Sequence, residues 1–365
     1  MKKTAIIAAG VFLTVIILFV SVFNGKAEAQ VIDKKEKTVR INAVGDIVMG
    51  NTFPTGNLPK NNGKDLFAPA ESLLKDGDVI IGNLECSLCD EGTLMKKIVE
   101  GKTYAFKTPE KYGINLKNAG FNVLNIANNH IRDFGEYGVK STKRILDSLG
   151  IQNTGFLNET AIFEIDSLKV AVVGFSSYFG MNNVLEKEKS MSLIKKLDDS
   201  NDIVIVTFHG GAEGQNALHV KDEVEYMYGE LRGNIFRFCH DAVDAGADVV
   251  IGHGPHVPRG VELYNERIIA YSLGNFLTYA GINVNGKNGY APLLSLEVSS
   301  RGEFLSGKIH SFMQIKGKGI VSDSLHSAAL LMKELSEEDF PGNQIVIDAN
   351  GIISRKNQIK CGGEK

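Results

Sequence analysis

The chain has 365 residues, enough for one large α/β domain or two modest ones, so a small stapled scaffold is excluded. Its 40 basic and 43 acidic side chains give a formal net charge of −3 with no basic face or RNA-binding signature, and nucleic acid is not expected as a partner. Four cysteines are too few for a disulfide framework at this length.

Lys2 and Lys3 precede an uncharged, mostly apolar run over residues 4–23, long enough to cross a bilayer once as a helix. Lysines in front favour an N-in orientation, which puts everything after Asn24 outside the cytoplasm. Ala27-Glu28-Ala29 offers an A-x-A cleavage site, so residues 1–30 are expected to be a retained membrane anchor or a signal peptide, with the length of the run favouring the anchor. The expected location is the cell membrane with a single N-terminal span and an extracytoplasmic domain, or secretion after cleavage. Residues 31–38 are charge-mixed and read as a solvated linker.

From there short β-rich runs at 39–44, 79–82, 122–126, 169–174, 203–208, 248–251 and 267–273 alternate with helical patterns, which predicts an α/β architecture. Helix-spaced apolar residues cover 136–149 and 223–245, each followed by a glycine, Gly150 or Gly246, suited to a helix C-terminus. The main domain is expected over 39–318. Residues 319–365 form a C-terminal extension with one helical stretch at 322–335 and a strand-like 344–347, to which no chemistry is assigned.

Polar residues collect where the apolar runs end. Val44-Gly45-Asp46, Gly82-Asn83-Leu84-Glu85, Ala127-Asn128-Asn129-His130, Phe208-His209-Gly210-Gly211 and Ile251-Gly252-His253-Gly254-Pro255-His256 each close a run, and in an α/β sheet such ends converge on one rim. Singly, Asp46 or the asparagines could cap turns and the histidines could be packed and satisfied. Five strand ends carrying carboxylates, an amide and imidazoles together point to a divalent metal such as manganese, zinc or iron, with no thiolate required. His219, His240, His310 and His326 lack such neighbours and are assigned structural roles.

Gly45-Asp46, Asn83-Leu84-Glu85, Asn128-Asn129-His130 with Asp133, His209-Gly210-Gly211-Ala212-Glu213, Gly252-His253-Gly254-Pro255-His256 and Tyr271-Ser272-Leu273-Gly274-Asn275-Phe276 resemble the ordered motifs of the CapA family of poly-γ-glutamate capsule proteins. The resemblance runs over about residues 39–276. That family is itself similar to calcineurin-like metallophosphoesterases, which implies a four-layer α/β/β/α domain. Carried over position by position, it makes Asp46, Glu85, Asn129, His209, His253 and His256 metal ligands. His130 then becomes the acid facing the leaving group, oriented by Asp133, while Lys107, Glu213 and Asn275 fall to substrate binding. Three departures stand out: Val48 where Asp-x-His would place an imidazole, Glu85 where an aspartate is expected, and two residues between His253 and His256 where the Gly-His-x-His of the phosphoesterases has one. They favour a single metal or a weak second site.

The resemblance implies a capsule biosynthesis or export protein with a hydrolase-like site acting on an anionic polymer such as poly-γ-glutamate, in company with the membrane and capsule synthase subunits. The alternative is a non-catalytic polymer-binding or scaffold component of a capsule synthesis complex. Two smaller expectations complete the reading. Cys86 and Cys89 are expected to form a local disulfide in an exported domain, and Gly56 to Lys64 lacks the spacing and the Ser or Thr of a phosphate loop.

Overall fold

The structure is a computed structural model that describes residues 37–356. The apolar run 4–23, the A-x-A site, most of the linker and Cys361 lie outside the described residues. Among the described residues no helix is long and apolar enough to cross a membrane.

Two sheets dominate. The first has ten strands among the described residues, in the order Ile345–Ile347, Ile352–Arg355, Phe304–Ile315, Tyr290–Ser299, Thr38–Val48, Val79–Leu84, Val123–Asn125 and Gln152–Thr154. Asn275–Thr278 pairs beside Thr38–Val48, and Gly319–Ser322 beside Phe304–Ile315. The second runs Val261–Tyr264, Arg267–Ala270, Val249–His253, Ile203–His209, Leu168–Ser176 and Thr160–Ile165. The strands ending in site residues pair in parallel, Thr38–Val48 with Val79–Leu84 and Ile203–His209 with Val249–His253, so their C-terminal ends lie side by side.

The strand period explains how the sheets pack. Successive side chains point to opposite faces, so Ile203 and Ile205 enter the core between the sheets, while Val204, Val206 and Phe208 face the helices Lys187–Asp198 and Ile235–Asp244. In the first sheet Val39, Ile41 and Ala43 point to the shared core, and Val44 and Ile47 point to the helices Gly113–Ala119 and Gly135–Ser148. Strands buried on both faces read as continuous apolar runs. Helices thus cover the outer faces of both sheets.

The segment after residue 318 is woven into this fold. Gly319–Ser322, Ile345–Ile347 and Ile352–Arg355 extend the first sheet, and the helix Ser327–Asp339 sends Ala329 and Met332 into the core between the sheets. The stretch 223–245, expected as one helix, is split. Glu225–Met227 and Glu230–Gly233 form a hairpin turned at Tyr228 and Gly229, whose φ angles of 49° and 84° break helical geometry. Only Ile235–Asp244 is helical, with the Asn234 side chain accepting from the Arg237 amide at its start.

Candidate metal centre

The site sits where the chain passes from one sheet to the other. After Arg267–Ala270 in the second sheet, residues 271–274 cross over and Asn275–Thr278 joins the first. The crossing backbone packs against both ligand-bearing strands: the Asp46 amide donates to Gly274 O at 2.9 Å and the Leu273 amide to Gly252 O at 3.0 Å. A Cβ on Gly45 would lie 1.9 Å from Gly274 O, and one on Gly252 would lie 2.1 Å from Tyr271 O. Only glycine permits these approaches, and each stands immediately before a candidate ligand, Asp46 or His253.

Asp46, Glu85 and His256 bring one ligand atom each to within 4.8 Å of one another. His253 Nδ1 lies 3.7 Å from Asp46 Oδ1, and His209 Nε2 lies 3.8 Å from Glu85 Oε1. Asn83 ties the cluster together, donating to Asp46 Oδ1 at 2.8 Å and meeting His209 Nδ1 at 3.3 Å, while its own oxygen accepts from Asn128 at 3.0 Å. Asn128 also accepts the amides of His130 and Ile131, shaping the turn that presents Asn129 and His130.

The chemistry of this donor set fits a cation. Both oxygens of Glu85, Asn129 Oδ1, His209 Nε2 and both ring nitrogens of His253 are buried with no hydrogen-bond partner among the described residues. An unpaired buried polar atom costs about 1–3 kcal/mol; both Glu85 oxygens, Asn129 Oδ1, His209 Nε2 and one nitrogen of the neutral His253 ring offer lone pairs that a cation would satisfy. The titration behaviour agrees. Burial, and then the neighbouring Asp46, hold the Glu85 carboxyl well above the carboxylate range. Burial works against charge on His256, yet Glu85, Asp46 and Glu213 overcome it and raise the imidazolium to about 10. A pair of enclosed carboxylates retains positive charge, as a proton or as a metal. Burial instead pushes His253 down to about 4 and His209 well below its usual value, leaving both neutral as ligation requires.

The backbone at His256 accommodates its spacing from His253. Its φ of 58° places it in the left-handed region, and the side chains of Asn275 and Asn288 both donate to its carbonyl at 3.1 Å. That clamp turns Nδ1 onto Asp46 Oδ2 at 2.9 Å, so the longer interval from His253 is absorbed by the backbone. Asn275 therefore holds the loop and does not line the adjoining cavity. Lys107 is not at the site either: its ammonium lies at Asp90 O, 3.4 Å away, and over the Phe134 ring. The lysine that reaches the site is Lys96, whose Nζ is 2.6 Å from Asp133 Oδ1 and 3.3 Å from His130 Nδ1. Sequence reasoning missed it because residue 96 stands in an irregular loop with no periodic neighbours.

A cavity of about 870 Å³ opens onto the cluster, lined among others by Asn129, His130, Glu213 and His256. Asp133 is fully buried; its Oδ2 accepts from the Phe106 amide at 2.8 Å and meets His130 Nδ1 at 2.7 Å. This fixes the ring and leaves Nε2 for proton exchange. Burial, then Lys96, push His130 down to about 4, so the ring is neutral here; a negative charge arriving in the cavity raises it again, as a donor role demands. Glu213 pairs with Arg232 at 3.1 Å and lies 3.9 Å from His256 Nε2. Cys86 and Cys89 are separate thiols. Three apart around the short strand Ser87–Leu88, they point to opposite sides, Cys86 into the core under the first sheet and Cys89 toward Ala105 and Phe134.

Residues 40–280, which contain every candidate metal ligand, match the family described as Bacterial capsule synthesis protein PGA_cap. The chain belongs to this family. The capsule biosynthesis protein CapA of Bacillus anthracis is 30% identical over 273 residues, covering 69% of this chain and 62% of that protein. The PGA biosynthesis protein CapA of Bacillus subtilis (strain 168) is 28% identical over 291 residues, covering 73% and 72%. The chain thus spans just under two thirds of the first relative's length. Among solved structures it is similar to the NAD nucleotidase NadN of Haemophilus influenzae, at a TM-score of 0.42 and 10% identity, over 83% of this chain and 56% of that one.

Proposed function

We propose that this family member acts on an anionic cell-envelope polymer of the poly-γ-glutamate type during capsule synthesis or export, as a hydrolase-like protein centred on a divalent metal ion. The observation that carries this reading is the set of unpaired, buried oxygens and nitrogens of Glu85, Asn129, His209 and His253, next to a cavity lined by Asn129 and His256. Asp46, Glu85, His209, His253 and His256 would hold the ion, with Asn129 Oδ1 as a further ligand; manganese, zinc and iron suit these oxygens and nitrogens. Such an ion would supply Lewis-acid polarisation of a carbonyl or phosphoryl oxygen. The chain's own residues supply the rest: Asp133 orients His130, whose Nε2 exchanges a proton with the substrate, and Lys96 offsets the charge of Asp133.

The polymer assignment rests on family membership and on the name of the Bacillus subtilis relative. The extracytoplasmic placement rests on the apolar run behind Lys2 and Lys3. A second reading, polymer binding without bond cleavage, is favoured by Val48, which is fully buried where an imidazole would complete a two-metal site. One experiment separates the two: full-length protein is purified in detergent, its metal content measured, and the chain length of poly-γ-glutamate followed during incubation. Bound metal with shortening polymer supports the hydrolase; bound metal with unchanged polymer supports binding alone; absence of metal defeats both versions of the site.

A further inference from the structure

The strand Leu168–Ser176 also ends at the rim, in register with the strand that carries His209, Ser176 opposite His209. It brings no metal-type residue, but Tyr178 follows it and lines the cavity. The Tyr178 hydroxyl is buried and has no hydrogen-bond partner among the described residues. Burial pushes this phenol above its usual value, so it stays protonated and a donor at neutral pH.

Arg232, from the hairpin strand Glu230–Gly233, lines the same cavity with its side chain 5% exposed. Its guanidinium carbon stands 5.4 Å from the centre of the Tyr178 ring. Glu213 and Glu230 form ion pairs with the two terminal nitrogens at 3.1 Å each. Nε has no acceptor. An arginine so enclosed and left with an unpaired N–H is costly unless something completes it.

We infer that Tyr178 and Arg232 form an oxyanion subsite beside the metal ligands, which takes one carboxylate or phosphoryl oxygen of the substrate through the Tyr178 O–H and the Arg232 Nε–H. The inference rests on the proposed function for the position of the metal but not for its own evidence, since both donors are unpaired whatever lies among the histidines. Glu213 and Glu230 neutralise the guanidinium, so recognition here works through aimed donors in an enclosed wall, and Lys96 across the cavity contributes positive charge. The substrate class is an oxyanion. The carboxylates of a γ-linked glutamyl chain and a phosphate ester share that chemistry, and they are separated below.

The test uses full-length protein and two probes, a short γ-glutamyl oligomer and inorganic phosphate, with affinities from calorimetry and metal content measured in parallel. Tyr178→Phe removes one donor with little change of shape and should weaken binding about 5-fold. Arg232→Gln removes a charge-assisted donor and should weaken it about 30-fold, with Arg232→Lys in between because an ammonium cannot reproduce the planar fork. Tyr226→Ala, on the exposed hairpin and outside the cavity lining, should bind as the wild type. Tighter binding of the oligomer assigns a carboxylate, tighter binding of phosphate a phosphoryl oxygen; either supports the subsite. Unchanged affinity in Tyr178→Phe and Arg232→Gln overturns it, as does failure of the wild-type protein to bind both probes. Metal retained in both variants while affinity falls places the fault in the subsite; metal missing from the wild type with the same pattern of affinities would refute the metal reading and leave the subsite standing.

Discussion

Two groups of histidines in this fold meet carboxylates in opposite ways. At the seam of the sheets His209 and His253 are fully enclosed, and His209 Nε2 and both His253 nitrogens find no hydrogen-bond partner among the described residues. On the helix covering the second sheet, His240 Nε2 meets Glu262 Oε2 at 2.9 Å, the Tyr271 hydroxyl donates to the same oxygen at 2.7 Å, and the imidazole stacks on Tyr264 with centroids 3.9 Å apart. Residue types are alike; satisfaction is not. A histidine whose bonds close within the fold contributes stability, whereas one held open in a dry pocket stores a cost that a bound ion removes.

The sharpest way to break this contrast is to delete imidazoles from each group. His209→Ala or His253→Ala should lose most of the bound transition metal, because each removes a neutral nitrogen ligand from a cluster that has no spare one among the described residues. His219→Ala should keep it: that ring pairs with Asp339 at 2.8 Å on the surface. Metal analysis of the three purified proteins checks this, and equal stoichiometry would mean that the open nitrogens are not ligands.

His130 divides the two behaviours within one side chain, closed at Nδ1 by Asp133 and facing the cavity with the rest of the ring. A general acid or base contributes about 10²–10⁴-fold, so His130→Ala should cut any hydrolytic rate by that range with metal content unchanged. Asp133→Asn should show a smaller loss, since the ring stays but its orientation weakens. Polymer of normal amount and length from cells carrying His130→Ala would leave only the binding role.

The next effect is on folding. Gly252→Ala forces a Cβ to within 2.1 Å of Tyr271 O, a backbone atom that cannot swing aside. We expect a loss of at least about 2 kcal/mol, the range of strain and overpacking in a core. Urea titration measures it, and metal affinity should fall together with stability because the same backbone carries His253.

These contrasts also show what a sequence can reveal. Asp46, Glu85, Asn129, His209 and His253 were legible as candidates because each ends an apolar run, with glycine close by in most cases, and parallel strands carry such ends to one rim. The partners of those residues were not legible, since whether His240 is closed and His253 open depends on side chains far away in the chain. Arg232 was hidden by reading 223–245 as one helix, where the Tyr228-Gly229 turn makes a hairpin. Tyr178 carried no ligand chemistry to mark it, and Asn275 matched a motif while its role, holding the His256 carbonyl, is visible only in three dimensions. The two long strands Tyr290–Ser299 and Phe304–Ile315 escaped because Pro292 and Gly307 interrupt their patterns.

The smallest effect tests the closed group itself. Glu262 Oε2 receives both His240 and Tyr271, on a side chain that is mostly buried. Glu262→Gln keeps the size and one acceptor oxygen but cannot serve both partners as a carboxylate does, so one hydrogen bond to a charged group becomes a weaker neutral one. The expected cost is about 1 kcal/mol, seen as a fall in Tm of about 2 °C for a domain of this size. Metal content and polymer binding should not move, because no atom of this group lines the cavity. Should Glu262→Gln instead release metal at unchanged Tm, the two groups would be coupled through the Tyr271–Gly274 crossing, and the division between closed and open histidines would no longer separate structure from site.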